Sequence, residues 1–170
     1  MDGLKAAVVL FIAALLQLSV LTQYPPFRDG SIVLVILIAL ALLRGSVFGA
    51  VAGFGAGLLL DVATLGTLGV TALLLTVAGF WIGRYGETTA RDRFHSPFLS
   101  VAVVTVLYAF GQLVLQFVLG EPAPAGLVAH SVPLGLVLNL VLTWPVYTLI
   151  RRLFPVAELS DRVREVRLLG

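Results

Sequence analysis

The sequence predicts an all-α integral membrane protein that folds as a bundle of six transmembrane helices. Hydrophobic residues make up 59% of the 170 residues, only 12% are charged, and the apolar residues fall into runs separated by short polar turns. A soluble domain of this size buries only about two-thirds of the surface that its unfolded chain exposes, so it could not hide so much apolar surface. The composition therefore excludes an ordinary soluble enzyme, a disordered tail and a nucleic-acid-binding module.

The first three predicted helices cover residues 4–24, 29–44 and 45–61. The first apolar run is longer than the core of a signal peptide and ends in Tyr24-Pro25-Pro26 without a small-residue cleavage site, which favours a retained helix. The apolar run of the second helix is short, about 20 Å of helix. It must therefore borrow flanking residues or be shielded by its neighbours in order to lie in a membrane.

The last three predicted helices cover residues 66–83, 97–119 and 127–150. Between the fourth and fifth helices lies a hydrophilic internal loop that is rich in arginine. Pro145 removes a backbone donor from the sixth helix, so we expect a kink about one turn before it.

The predicted helices make up one transmembrane domain at residues 1–154, and residues 155–170 form a cytoplasmic tail. Apolar residues recur at helical spacing in this tail, with charged residues between them. Two interpretations stay open: an amphipathic helix on the membrane surface, and a frayed tail whose pattern has no function.

The basic residues predict that both chain ends face the cytoplasm. In that orientation Arg28 lies outside, whereas the inner side holds Lys5, Arg44, Arg84, Arg91, Arg93, Arg151, Arg152 and the arginines of the tail. Cytoplasmic loops of membrane proteins carry such an excess of Lys and Arg. Five of these side chains are predicted to lie at the membrane surface: Arg84, Arg91, Arg93, Arg151 and Arg152. An alternative with five helices, in which residues 31–60 form one bent or re-entrant unit, would put the C-terminus outside and spread the arginines over both faces.

A glycine series marks the third helix. Gly45, Gly49, Gly53 and Gly57 recur at four-residue intervals, and Asp61 completes the series. Residues at this spacing share one helix face, which here is a groove without side chains that closes at a carboxylate. Such a groove lets another backbone approach closely, either a helix of the same bundle or a partner chain, lipid or small ligand. Two interpretations of Asp61 stay open. In one, it caps the next turn; in the other, it is a buried carboxylate that fixes the following loop or meets a basic partner.

A second polar face is predicted on the fifth helix, where Tyr108, Gln112 and Gln116 share one side. The other polar residues within the predicted helices are Gln17, Asn139 and Thr143. Side chains of this kind form hydrogen bonds between helices in membranes, and the alternative for the fifth-helix face is contact with a partner.

The search for catalytic and metal-binding patterns finds none. The chain has no cysteine, and it lacks the HExxH, Walker A and G-x-S-x-G patterns. His95 and His130 are predicted at opposite membrane faces, so they cannot share a metal. We therefore expect no enzyme activity, no metal and no cofactor.

The stretch from Gly49 to Asp61, followed by Leu65 to Leu73, resembles the signature region of the MreD family of bacterial rod shape-determining membrane proteins. The shared pattern is a glycine-rich helix that ends in Gly-Leu-x-x-Asp, here residues 57–61, and then a short loop with Leu-Gly before the next helix. The chain length, the six helices, the small loops and the arginine-rich loop after the fourth helix agree along nearly the whole chain.

The resemblance implies a non-enzymatic subunit of the cell-elongation machinery, with several passes through the bacterial cytoplasmic membrane. The implied partners are the bitopic protein MreC and, indirectly, the actin-like MreB and the RodA glycosyltransferase with its class B penicillin-binding protein. Membrane lipids are further partners, and a homodimer stays open.

The resemblance also implies a fold similar to that of the substrate-binding S-components of energy-coupling-factor vitamin transporters. A vitamin-binding S-component is therefore the alternative function. Against it, the first helix has no Ala-x-x-x-Ala series for docking a coupling subunit, and the outer loops are short.

Overall fold

The computed structural model describes residues 2–19, 31–65, 67–90, 96–120 and 125–153. These residues form six α-helices and no strand. The helices are α1 (Asp2–Ser19), α2 (Ile32–Arg44), α3 (Ser46–Thr64), α4 (Val70–Tyr85), α5 (Ser96–Val118) and α6 (Ala125–Leu153). A π-helical turn over Gly86–Ala90 extends α4.

The described helices have the character of a membrane bundle. Within the described ranges, three stretches are long and apolar enough to cross a membrane: Ser46–Thr64, Pro97–Leu115 and Val132–Leu153. Two shorter helices, Gly3–Ser19 and Ile32–Arg44, are also apolar. Large apolar side chains such as Leu107, Phe110 and Trp144 stand exposed on the outside, where a soluble monomer rarely shows a contiguous apolar surface.

The centre of the bundle is α2. Its side chains from Val33 to Leu43 are buried on every face, and α2 packs against all five other helices. A helix that is hydrophobic all round needs such an environment. Thirteen residues make about 20 Å of helix, less than the roughly 30 Å of a bilayer core, so the neighbouring helices shield both of its ends.

A single residue, Gly45, joins α2 to α3. Its φ of 94° lies in a region that favours glycine. The Gly45 N–H donates to the Ala41 carbonyl (2.8 Å), and the Gly49 N–H donates to the Gly45 carbonyl (3.0 Å). One helix therefore ends and the next begins without a loop, and the two helices pack against each other. Residues 31–60 thus form two helices joined at one residue, and the way in which they cross the membrane stays a prediction.

Several helix bounds differ from the sequence prediction by a few residues, and both bounds of α4 are among them. The first turn of α4 begins at Val70 rather than at Gly66, after Gly69 in a left-handed conformation with φ 96°. At its other end, α4 continues to Tyr85 and then into the π-helical turn, where the sequence suggested a loop. The structure also carries α6 through both Pro133 and Pro145 as one helix.

Some predictions fall outside the described residues. These are the end of the first predicted helix at residues 20–24, the tail at 155–170, and the side chains of Arg28, Arg91, Arg93 and His95.

Candidate functional site

The glycine series of α3 packs against the backbone of α4 in the same chain. Gly49 faces the Gly79 carbonyl, Gly53 faces the Leu75 carbonyl, and Gly57 faces the backbone of Ala72. Successive glycines along α3 face successively earlier residues of α4, so the two helices are antiparallel. A Cβ added at any of these three glycines would overlap α4 backbone atoms, which is why the approach needs glycine.

α4 supplies a complementary set of small residues. A Cβ at Gly79 would overlap the Gly49 carbonyl, and one at Gly83 would overlap the backbone of Gly45 and Ser46. We call this contact the α3–α4 seam. The structure thus places α4 on the face that the sequence predicted for either helix packing or a partner chain.

Asp61 lies at one end of the seam with 2% of its surface exposed. Its carboxylate accepts hydrogen bonds from the backbone N–H groups of Gly69 (2.8 Å), Thr71 (3.2 Å) and Ala72 (3.3 Å). These amides open α4, where a helix has unpaired donors and a positive dipole end. Asp61 therefore fixes the connecting loop and caps the next helix at once, in accord with two of the roles that the sequence suggested.

Glu87, in the π-helical turn, has the matching role at the other end of the seam. Its Oε1 accepts from the Ser46 backbone N–H (2.7 Å) and from the Ser46 hydroxyl (3.0 Å). Ser46 is the first residue of α3, so Glu87 caps that helix. A Cβ at Gly45 would overlap Glu87 Oε1. The sequence analysis did not single out Glu87, and its place in a hydrophilic stretch gave no signal of this contact.

The polar face predicted on α5 turns towards α4. Gln112 Nε2 donates to the Tyr108 hydroxyl (3.0 Å) and to Thr71 Oγ1 (3.5 Å). Tyr108 and Gln112 are both half-buried. The side chain of Gln116 lies outside the described part. The two described members of this face therefore use their polar atoms within the bundle.

A second polar cluster surrounds the start of α2. Asn139 of α6 accepts from the Ser31 N–H (2.8 Å) and donates to Thr105 Oγ1 (3.1 Å). Gln17 of α1 accepts from the Val33 N–H (3.1 Å) and from the Ser31 hydroxyl (3.3 Å). The sequence marked Gln17 and Asn139 as hydrogen-bonding residues between helices, but it did not bring them together.

Comparison with known proteins decides the family. A model of the rod shape-determining protein MreD matches residues 4–153, a range that takes in the described helices almost completely. The chain belongs to the MreD family. Searches among curated proteins and among solved structures found no match. MreD is a structural family with a role in rod shape determination, not a known family of enzymes.

One end of the bundle is cationic. Gly83 of α4 lies beside Gly45 at the start of α3. One groove is lined by both Tyr85 and Leu99, and another by both Arg151 and Pro97. The end of α4, the start of α5 and the end of α6 therefore lie on the same side. The described basic side chains at this end are Arg44, Arg84, Arg151 and Arg152. The buried Asp61 lies at the opposite end.

Two apolar grooves open on the outside of the bundle. The groove between α4 and α5 has a volume of about 430 Å³. The groove between α1 and α3 has a volume of about 420 Å³, with walls that include Ala7, Ala52 and Gly55. Among the described residues, no group of three or more His, Cys, Asp or Glu side chains could hold a metal ion. The geometry thus offers surfaces for apolar contacts.

Proposed function

We propose that the chain is a non-enzymatic scaffold subunit of the bacterial cell-elongation complex. It binds an MreC-type bitopic protein and, through it, links to cytoplasmic and peptidoglycan-synthase components. The observation that carries this proposal is the MreD match over residues 4–153. The seam and the polar cluster support it, because they give the bundle a fixed shape on which another membrane protein can dock.

We further propose that all six helices lie in the cytoplasmic membrane with both chain ends inside. The cationic end supports this orientation, since Lys and Arg collect on the cytoplasmic side. Two exposed threonines at opposite ends, Thr67 and Thr88, provide a matched test because the chain has no cysteine. In intact spheroplasts, an impermeant thiol reagent should label Thr67→Cys and not Thr88→Cys. The reverse result would invert the orientation.

The partner helix needs a face that α4 does not occupy, and the groove between α1 and α3 fits that need. Its walls contain small residues, and a Cβ at Gly55 meets nothing within 4 Å. Small residues let a second helix approach closely, which favours helix association in lipid. We therefore expect the single transmembrane helix of the partner to lie against Ala52 and Gly55.

Co-purification of the tagged chain with an MreC-type partner tests both the function and this face. Gly55→Leu should reduce the amount of partner recovered, whereas Ala63→Leu, an exposed position of α3 outside the groove, should not. Full recovery of the partner with Gly55→Leu would show that the partner docks on another face. A purified chain that carries a vitamin and no bitopic partner would overturn the scaffold function in favour of an S-component. The likeness to the S-component fold stays a prediction, which an experimental structure would test.

A further inference from the structure

The groove between α4 and α5 has a specific shape and lining. Val77, Trp81 and Tyr85 form one wall, Ser100 and Val103 contribute to the other, and the groove faces outwards from the bundle. Its volume of about 430 Å³ falls within the range of small-molecule sites in proteins. Almost all of the lining is apolar.

Ser100 is the exception in this lining. Its side chain is 3% exposed, and Oγ is the buried side-chain polar atom for which the described residues provide no hydrogen-bond partner. Helical serines usually satisfy themselves by bonding a carbonyl one turn back. An unpaired buried hydroxyl is costly in an apolar setting. Because Ser100 is among the residues that line the groove, rotation of its side chain towards the groove would let a bound molecule supply the acceptor.

Arg84 lies on α4 next to Tyr85, which lines the same groove. It continues the stripe of Val77 and Trp81 on α4, seven and three residues further along the helix, and its side chain is 64% exposed. Its ion pair with Glu87 spans 3.8 Å, and a long, exposed pair of this kind contributes little. The guanidinium therefore has donors to offer a phosphate, which Arg binds well.

Ser100 and the aromatic residues of the groove lie close to the ends of their helices. Ser100 is about 6 Å along α5 from its first residue, and the apolar stretch Pro97–Leu115, which is long enough to cross a membrane, begins in the same turn. Trp81 and Tyr85, near the end of α4, have the amphipathic rings that collect at membrane–water interfaces. From the cationic end inwards, a bound molecule would thus meet the Arg84 guanidinium, then the Ser100 hydroxyl, and then the apolar side chains of the groove.

We propose that this groove binds one anionic phospholipid from the leaflet at the cationic end. The phosphate lies at Arg84, a glycerol ester carbonyl accepts from the Ser100 hydroxyl, and an acyl chain follows Val77 and Val103. A lipid fits better than a partner helix for two reasons. Helix carbonyls are already bonded within their own helix, and close helix contact needs small side chains rather than the large ones that line this groove.

Native mass spectrometry of the full chain in a mild detergent tests the proposal, with phosphatidylglycerol and phosphatidylcholine as the added lipids. Val103→Trp fills the groove and should lower the bound phosphatidylglycerol about tenfold. The matched control is Val106→Trp, because the two valines are 47% and 48% exposed and Val106 does not line the groove. The control should bind as the unmodified chain does.

Two milder variants separate the contributions of the polar groups. Ser100→Ala removes the unpaired hydroxyl and, with it, the free-energy cost of burying that group. This variant should reduce the binding of both lipids about threefold. Arg84→Gln should remove the preference for phosphatidylglycerol over phosphatidylcholine, whereas Arg152→Gln should preserve it. These variants also keep the proposal testable if Val103→Trp fails to fold.

Equal lipid retention by Val103→Trp and Val106→Trp, or by Ser100→Ala and the unmodified chain, would overturn the proposal. A photoreactive residue at position 103 that cross-links a protein rather than a lipid in native membranes would do so too, and would assign the groove to a helix. The inference concerns this chain alone, so its failure would leave the scaffold proposal standing.

Discussion

Replacement of Gly53 by alanine probes the α3–α4 seam directly. The added methyl group would overlap the Leu75 carbonyl and adjoining backbone atoms of α4, and backbone atoms cannot rotate away as a flexible side chain can. To regain ordinary contact, the helices must separate by about 1 Å at this point. Overpacking of this kind costs about 1–3 kcal/mol, against a gain of at most about 1 kcal/mol from the better helix propensity of alanine. We expect a net loss of about 1–2 kcal/mol in unfolding free energy.

Gly55→Ala is the matched control, since Gly55 lies in the same helix and a Cβ there meets nothing within 4 Å. It should leave stability unchanged or raise it by up to about 1 kcal/mol. Titration with sodium dodecyl sulfate in mixed micelles, followed by circular dichroism, measures both variants. The reasoning predicts that Gly53→Ala unfolds at lower denaturant than Gly55→Ala. Equal midpoints for the two variants would refute the close backbone contact.

Three further predictions use the same titration. Asp61→Ala should lower the unfolding free energy by about 1–3 kcal/mol, because three backbone donors lose their acceptor. The hydrogen-exchange rate of the Thr71 amide should also rise, and an unchanged rate would contradict the cap. Glu87→Ala should cost about 1 kcal/mol, whereas Glu87→Gln keeps an oxygen for Ser46 and should cost less; the reverse order would exclude the cap. Asn139→Leu should cost about 1–3 kcal/mol despite its apolar side chain, and a gain in stability would show that apolar packing at this position outweighs the hydrogen bonds.

The sequence was informative where a single helix decides the outcome. Spacing alone shows that Gly49, Gly53 and Gly57 share a face, and the absence of side chains shows that a backbone approaches it. It does not show which helix comes there. The answer depends on the register of α4, where Gly79 and Gly83 complete the contact, and register is a property of two helices together.

Contacts between distant residues explain the errors. The sequence prediction places the start of α4 at residue 66, whereas Asp61 binds the amides of Gly69 and Thr71 and the first turn begins at Val70. Glu87 was missed because an acidic residue in a hydrophilic stretch is ordinary. Its partner Ser46 lies 41 residues earlier, and no local pattern connects the two.

Four polar side chains of the described helices share one structural role. Gln17 and Asn139 accept hydrogen bonds from backbone N–H groups at the start of α2, Asp61 does so for α4, and Glu87 for α3. Each acceptor belongs to a different segment from the helix that it caps.

Helix length gives the physical reason for this arrangement. With 13 and 16 residues, α2 and α4 are about 20 and 24 Å long, shorter than the roughly 30 Å of a bilayer core. An unsatisfied N–H at such depth costs several kcal/mol, and each side chain that removes this cost ties the helix start to another part of the bundle. Apolar side chains pack against lipid as readily as against protein. The caps and the glycine contacts therefore select this arrangement of helices over other packings of equal hydrophobicity.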